Sequence, residues 1–297
     1  MKKNLFSGIS KISGEKIILI EALFFSLFSV LAKFALNELS TIVVMIVTWF
    51  FAGLLFAGIL TWKKQWGTLL KHPEQYFNIL AGGIIIGIIF HGLVFYGISL
   101  TTAGNAALIG VTEILFSYLL FNIWKKEHEK FLHILGAFLM IAGVVIAFWE
   151  SFSTFSWNSG DLWVMLAFAI VPLGNFFQQK AGQSEVPNEM ILFIRTILIM
   201  IVFIPLLFIF ETLPFLSTIS NNLLVLFLIG FFILGISKLL WIAGISKISV
   251  TKAISISSIY PIFSFIFAYF LLDEIPTLYQ ITALVPMGIG LWLLVRK

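Results

Sequence analysis

Residues 96–108 read YGISLTTAGNAAL, and residues 243–255 read AGISKISVTKAIS. The two stretches start 147 residues apart, and a shift of 147 without a gap superposes the whole segment 96–143 on the segment 243–290. Eleven positions are then identical, whereas a composition so biased gives about four by chance. The pattern predicts that the chain contains one structural unit twice.

The composition places the chain in a membrane. Hydrophobic residues make up 60% of it and charged residues 11%, and the mean hydropathy is +1.08, far outside the range of soluble domains. Ten apolar segments of about 20 residues are each long enough to cross a bilayer as a helix. They lie near residues 17–36, 42–62, 76–100, 103–123, 131–149, 161–179, 189–210, 223–246, 249–272 and 276–295. The predicted fold class is all-α transmembrane.

Five spans in each copy give the repeat a specific geometry. Because five is an odd number, the first copy, residues 1–149, and the second copy, residues 150–297, must cross the membrane in opposite orientations. The sequence therefore predicts ten transmembrane helices arranged as two inverted five-helix repeats. Inverted repeats are typical of secondary transporters, in which the substrate site lies near the middle of the membrane where the repeats meet.

Lysine and arginine are concentrated on one side of these spans. Fifteen of the eighteen lie in segments that share a face with the amino terminus, and the charged residues of the alternate loops are acids. The positive-inside rule therefore predicts that both termini are cytoplasmic and that the chain is a multi-pass protein of the cell membrane. The pI near 9.2 then reflects topology and attraction to anionic lipid, and no binding to nucleic acid is expected.

The repeated segment resembles a known family. A helix end rich in small residues, Tyr96–Leu108, is followed by a span with an acid at its end, Glu127, and by a short helix that contains Gly143; the second copy adds Pro261 and has Glu274 as its acid. These features are similar to the EamA domain, and two such domains make a ten-helix member of the drug/metabolite transporter superfamily. The resemblance covers nearly the whole chain. It implies two four-helix bundles around a central cavity that opens to either side in turn, with the fifth and tenth helices peripheral.

Four residues at the depth of the membrane centre suggest where a substrate binds. Glu113 stands in the middle of the fourth span, where an unpaired carboxylate costs several kcal/mol, so we expect it to face the interior. The shift of 147 aligns Glu113 with Tyr260, and His91 with Lys238. Two interpretations stay open. Glu113 and Lys238 form a structural ion pair, or Lys238 receives the carboxylate of a zwitterionic substrate and Glu113 receives its ammonium group.

Further polar and aromatic side chains complete the predicted substrate-binding site. It comprises Glu113, Lys238, His91, Tyr260, Trp241, Tyr96, Ser257, Asn175 and Gln178, of which the two amides are placed at the inner mouth of the cavity. His91 titrates near neutral pH in its unperturbed form, so it is either a proton carrier together with Glu113 or a hydrogen-bonded packing residue.

Other notable residues receive structural interpretations. Three charged side chains are expected by default to extend toward the lipid headgroups: Glu21, Lys33 and Arg195. For Arg195 a second interpretation stays open, because the amides Asn175, Gln178 and Gln179 lie in the neighbouring sixth span and are expected at the inner mouth of the cavity. Four glycines are expected to permit close helix packing: Gly83, Gly87, Gly230 and Gly235.

The function that the sequence favours is secondary active transport of a small polar or zwitterionic metabolite, such as an amino acid, by alternating access. The alternative within transport is an uptake or exchange carrier for a host-derived, nucleoside-like compound or amine. The alternative outside transport is a membrane-embedded enzyme or a structural subunit. We expect no cofactor, no metal site and no enzymatic activity, because the sequence has no cysteine and no nucleotide-binding motif, and its histidines show no catalytic or metal-binding spacing with acids. The expected partners are a small-molecule substrate and the lipid bilayer; proton coupling and a homodimer stay open.

Overall fold

The structure, a computed structural model, describes residues 12–124, 131–147, 149, 158–210 and 216–295, and these residues form helices and loops without a β-strand. The helices, numbered in chain order, are α1 (Gly14–Leu36), α2 (Thr41–Lys63), α3 (Pro73–Leu100), α4 (Ala103–Phe121), α5 (Phe131–Ala147), α6 (Ser159–Gly182), α7 (Asn188–Phe210), α8 (Thr218–Ile245), α9 (Val250–Leu272) and α10 (Leu278–Val295). All except α5 and α10 are long and apolar enough throughout to cross a membrane, which gives eight candidate spans among the described residues. The predicted all-α membrane fold is confirmed at this level.

Some expectations fall outside the described residues. They concern the acid Glu127 of the family pattern, the basic loop 125–130, and the charged terminal segments 1–11 and 296–297. Within the described part, α1 starts at Gly14, earlier than the start near residue 17 that hydropathy predicts. Similarly, α8 starts at Thr218, earlier than the predicted start near residue 223.

Two helix breaks make the repeat visible in the backbone. In α4 the helix stops at Gly110 and resumes at Glu113, and in α9 it stops at Ser257 and resumes at Tyr260. Both pairs of residues correspond under the shift of 147. Pro261 lies in the first turn of the resumed α9 segment, a position where its missing N–H is not needed. The helix α4 breaks at the equivalent residues without a proline.

A wide helical stretch in α3 and another in α8 form a second symmetric feature. Residues Gly83–Phe90 and Leu228–Ser237 are π-helical, a conformation with i to i+5 hydrogen bonds that is often found at functional sites. The first α-helical residue after the stretch is His91 in α3 and Lys238 in α8. The two basic residues that the sequence relates by pseudo-symmetry therefore occupy the same structural position in their repeats.

Glycines permit the close helix contacts that the sequence predicts for them. A Cβ at Gly230 of α8 would come within 2.2 Å of the carbonyl oxygen of Thr48 in α2. A Cβ at Gly87 of α3 would come within 2.8 Å of the Cγ of Arg195 in α7. The packing prediction is therefore confirmed at these two glycines, and Gly87 in addition makes room for a charged side chain.

The helices α5 and α10 pack on each other reciprocally. A Cβ at Gly143 of α5 would lie 2.4 Å from Met287 of α10, and a Cβ at Gly290 of α10 would lie 3.0 Å from Met140 of α5. The shift of 147 converts Gly143 into Gly290 and Met140 into Met287, so one contact is made twice. This reciprocity supports an internal two-fold relationship between the copies.

Candidate functional site

A cavity of about 40 Å³ lies between the two repeats. Eight of the nine residues predicted to bind substrate line it: Glu113, Lys238, His91, Tyr260, Trp241, Ser257, Asn175 and Gln178. The structure places Tyr96 elsewhere, since its side chain is 46% exposed and its ring packs edge-on against Trp163. Tyr96 therefore lies on the outward face of α3. Its counterpart under the shift of 147 is Ala243, so the repeat does not indicate where the side chain of Tyr96 lies.

A buried ion pair joins α1 to α8 at the cavity wall. The Oε1 of Glu21 lies 3.2 Å from the Nζ of Lys238, and the carboxylate also accepts hydrogen bonds from Ser237 at 3.0 Å and Ser257 at 3.1 Å. Glu21 is 1% exposed. The expectation that it reaches the headgroups is wrong, because α1 starts at Gly14 and Glu21 therefore lies two turns, roughly 10 Å, inside the helix.

Glu113 has a different set of partners. Its Oε1 accepts a hydrogen bond of 3.0 Å from the side-chain amide of Asn175, whose own oxygen accepts one of 3.0 Å from the indole N–H of Trp241. Lys238 forms its ion pair with Glu21. Among the described residues, no basic side chain lies within ion-pair distance of Glu113. Glu113 is therefore held by a neutral amide and not by a basic side chain.

His91 is fixed by the backbone of its own helix. Its Nδ1 lies 2.5 Å from the carbonyl oxygen of Ile86, five residues earlier, so this nitrogen carries a proton and donates it. The ring packs edge-on against Trp49 and Phe90 and is fully enclosed. The wide turns of the π-helical stretch leave the Ile86 carbonyl facing the imidazole.

The contact between α1 and α9 has a counterpart between α6 and α4, with different chemistry. Between α1 and α9, Glu21 contacts Ser257. Under the shift of 147, Glu21 corresponds to Phe168 of α6 and Ser257 corresponds to Gly110 of α4, and these two residues are also in contact. Gly110 leaves space for the hydroxyl of Tyr260, which a Cβ there would overlap. One side of the cavity is therefore polar and ionic, and the equivalent side is apolar.

Arg195 of α7 lies inside the bundle. It is 3% exposed, its guanidinium carbon is 5.0 Å from the Trp49 ring, and its Nε and Nη2 have no hydrogen-bond partner. Of the two interpretations of Arg195, the extension to the headgroups is wrong, because Gly87 admits its stem between α3 and α7. The structure places Arg195 at the cavity with Asn175 and Gln178, as the second interpretation expects. Arg195 and Gln178 line both the central cavity and a neighbouring space of about 10 Å³. The Oε1 of Gln178 also has no partner.

Polar contacts close the bundle at the end where α1 finishes. Lys33 donates to the carbonyl oxygens of Ile98 and Ser99 at 3.3 and 3.1 Å, so it caps the end of α3. The expectation that Lys33 extends to the lipid headgroups is therefore wrong. Glu274 accepts the backbone N–H groups of Ala103 and Gly104 at 2.9 and 3.0 Å. The adjoining ends of α3 and α4 are therefore fastened to α1 and to the end of α9.

A second set of contacts closes the end where α1 begins. Gln179 donates to the carbonyl oxygens of Ile245 and Ile248 at 2.7 and 2.9 Å, which places it at the end of α8 and not at the cavity. Lys252 and Glu15 form an ion pair at 2.7 Å, in which both side chains are partly exposed. In this conformation polar bonds join the helices at both ends of the bundle, on either side of the central cavity.

Comparison with known proteins agrees with this architecture. The model of the EamA-like transporter family matches the chain twice, at residues 12–149 and 158–296. An uncharacterized transporter of Synechocystis sp. is 24% identical over 213 residues, or 69% of this chain, which spans 61% of that protein's length. A solved crystal structure at 17% identity shares the fold, with a TM-score of 0.74 over 95% of this chain and 96% of the other. The chain belongs to the EamA-like transporter family and is a multi-pass protein of the cell membrane.

Proposed function

We propose that this chain is a secondary active transporter that moves a small polar or zwitterionic metabolite, such as an amino acid or a related compound, by alternating access. The observation that carries the proposal is the central cavity, which both repeats line and which brings acidic and basic side chains together in one space. A substrate that bears both charges is neutral as a whole, so it meets complementary groups in the cavity without adding net charge to the membrane interior.

The proposal includes ten spans with both termini in the cytoplasm. The helices α5 and α10 are then the fifth and tenth spans, and five spans per copy give the repeats opposite orientations. The distribution of charge supports this orientation, because Lys63 and Lys64 end α2 and Lys180 ends α6, all at the level where α1 begins. The acids Glu38 and Asp273 lie at the opposite level.

The size of the cavity supports a mechanism that requires conformational change. A volume of about 40 Å³ holds a few water molecules, whereas ligand pockets measure roughly 300 Å³ or more. Binding of an amino acid therefore requires helices to separate. The breaks in α4 and α9 supply points at which each helix can bend, because the regular hydrogen-bond ladder is already interrupted there.

The two closing sets of contacts give alternating access a concrete form. Opening toward the cytoplasm requires the ion pair of Lys252 with Glu15 and the bonds of Gln179 to break. Opening to the other side requires the bonds of Lys33 and Glu274 to break. The first set comprises three polar interactions and the second four, none of them fully buried, so each is weak enough for substrate binding to compensate.

In the proposed site Glu113 accepts hydrogen bonds from the substrate's ammonium group. The ammonium group replaces the side-chain amide of Asn175, which donates to Glu113 in this conformation. Glu113 and His91 are also the proposed carriers for coupling to protons. Direct reconstitution tests both assignments. Purified protein in liposomes should take up at least one member of a labelled panel of amino acids, amines, nucleosides and sugar phosphates.

Glu113→Gln should lower uptake of the ammonium-bearing substrate by about 10-fold or more, because a charged hydrogen bond is lost. Glu74→Gln, at an exposed position in the first turn of α3, is the matched control and should behave as wild type. A pH gradient across the membrane should accelerate wild-type uptake if protons are coupled. Flux of nucleosides or simple amines alone would favour the alternative substrate class, and no flux with folded protein under any gradient would contradict transport.

A further inference from the structure

Five side chains that can carry a charge near neutral pH line the central cavity, and four of them have polar partners. Glu21 and Lys238 bond to each other, Glu113 accepts from Asn175, and His91 donates to a backbone carbonyl. The fifth is Arg195. No acidic side chain among the described residues lies within ion-pair distance of it.

The free donors of Arg195 lie on one edge of its guanidinium. Nε–H and an Nη2–H point in nearly the same direction along this edge, and both atoms are buried without a hydrogen-bond partner. A carboxylate bridges such a pair of donors with its two oxygens, which makes two parallel charge-assisted hydrogen bonds. The unsatisfied edge of Arg195 therefore has the geometry of a carboxylate receptor.

The environment of Arg195 fixes this edge in position. The stem passes over Gly87, and the guanidinium packs against the Trp49 ring with its carbon 5.0 Å from the ring centre. A buried guanidinium without an anion is costly, and no anionic side chain compensates for it here. The charge is explained if an anion from outside the protein completes the site during the transport cycle.

We infer that Arg195 binds the carboxylate of the transported substrate, while Lys238 is held by Glu21 as a fixed part of the cavity wall. The inference rests on the proposed function and names the substrate class more narrowly: a small compound with a carboxylate and, facing Glu113, an ammonium group. In this assignment the substrate carboxylate binds Arg195 and not Lys238. The Nζ of Lys238 already has Glu21 as its anionic partner, and an ammonium group lacks the two parallel N–H donors of a guanidinium.

The test uses full-length protein in liposomes and three matched probes: phenylalanine, phenylalanine amide and phenethylamine, with the corresponding set for alanine. Wild type should prefer the amino acid over its amide by about 10- to 100-fold, the range of a charged hydrogen-bond pair. Arg195→Gln should remove this preference, and Arg195→Lys should retain part of it because the charge remains but the fork is lost. Lys180→Gln, a basic residue of α6 away from the cavity, is the control and should leave the preference unchanged.

The readout is the ratio of acid to amide uptake, which a loss of folded protein does not alter because both probes are measured on the same sample. An unchanged ratio in Arg195→Gln would overturn the role of Arg195 and leave the proposed transport function intact. A stronger response to phosphoethanolamine than to the amino acids would overturn the carboxylate assignment. No uptake of any probe by folded wild type would contradict the proposed function together with its substrate class.

Discussion

The carboxylate of Glu21 and the ammonium group of Lys238 lie 3.2 Å apart in the cavity wall, although 217 residues separate them in the chain. Glu21 belongs to the first copy and Lys238 to the second. Because Glu21 also accepts hydrogen bonds from Ser237 and Ser257, three helices meet at one buried carboxylate. The pair therefore fastens the two repeats together where they surround the cavity.

Removal of Glu21 tests this role in stability. Glu21→Ala should lower the free energy of unfolding by about 3–5 kcal/mol, because it leaves Lys238 buried without a counter-ion. The double variant Glu21→Gln Lys238→Met should be closer to wild type, since neither charge remains. Thermal unfolding in detergent measures both. Glu15→Gln is the control, with an expected loss of about 1 kcal/mol or less at a partly exposed pair. Equal Tm values for Glu21→Ala and wild type would show that the pair contributes nothing.

The break in α9 can be tested at its proline. Pro261→Ala should leave the uptake rate within about twofold of wild type, because α4 breaks at the equivalent residues without a proline and the first turn of a helix needs no N–H from that position. Initial uptake rates in liposomes measure the effect. A loss greater than about tenfold in folded protein would mean that the proline itself makes the break.

The cap that Glu274 places on α4 should contribute to stability. Glu274→Gln should lower the unfolding free energy by about 1 kcal/mol, because a neutral amide replaces a carboxylate that accepts from two backbone N–H groups at a positive helix end. Thermal unfolding measures the loss, with the exposed Glu74→Gln as control. A variant as stable as the control would rule out a capping contribution.

The position of Arg195 should depend on Gly87. Gly87→Ala places a methyl group within 2.8 Å of the arginine stem and should weaken amino-acid uptake by about 10-fold, since a small displacement of a bidentate donor removes most of its bonding. Gly58→Ala is the matched control, because a Cβ there meets no atom within 4 Å. Equal uptake by the two variants would show that the stem has room to adjust.

The absence of cysteine from the sequence permits a clean test of the proposed gate at the end where α1 begins. Glu15→Cys and Lys252→Cys together, joined by a short bifunctional thiol reagent, should abolish uptake, because α1 and α9 can then no longer separate at that end. Each single variant treated with the same reagent should keep its activity. Normal uptake after complete crosslinking would show that this contact does not open during transport.

The repeat and the depth of a few charges were enough to predict most of the cavity from the sequence. Glu113 was placed by its position in the middle of a span, and His91 and Lys238 by the shift that relates them. Both arguments depend only on residue spacing, which helical geometry preserves. They fail for Tyr96, because the orientation of a side chain around its helix depends on neighbours that spacing does not specify.

The partners of the charged groups could not be predicted. Glu21 was misplaced because hydropathy locates the start of a helix only to within a turn, and one turn separates the headgroups from the interior. The burial of Arg195 requires Gly87, a residue more than 100 positions away, to lie directly beneath it. The break in α4 contains no proline, so the sequence gives no local signal of it. The burial of Arg195 thus follows from a contact between two helices, which residue spacing within one helix does not specify.

The two helix breaks have a consequence for how such a molecule acquires an asymmetric site. A symmetric dimer of single five-helix units would have to place the same residue after both breaks, and two acids facing one cavity would repel each other. Once the units are joined in one polypeptide, each break can evolve alone. Here one is followed by Glu113 and the other by Tyr260, so a duplicated scaffold presents two different side chains to one cavity.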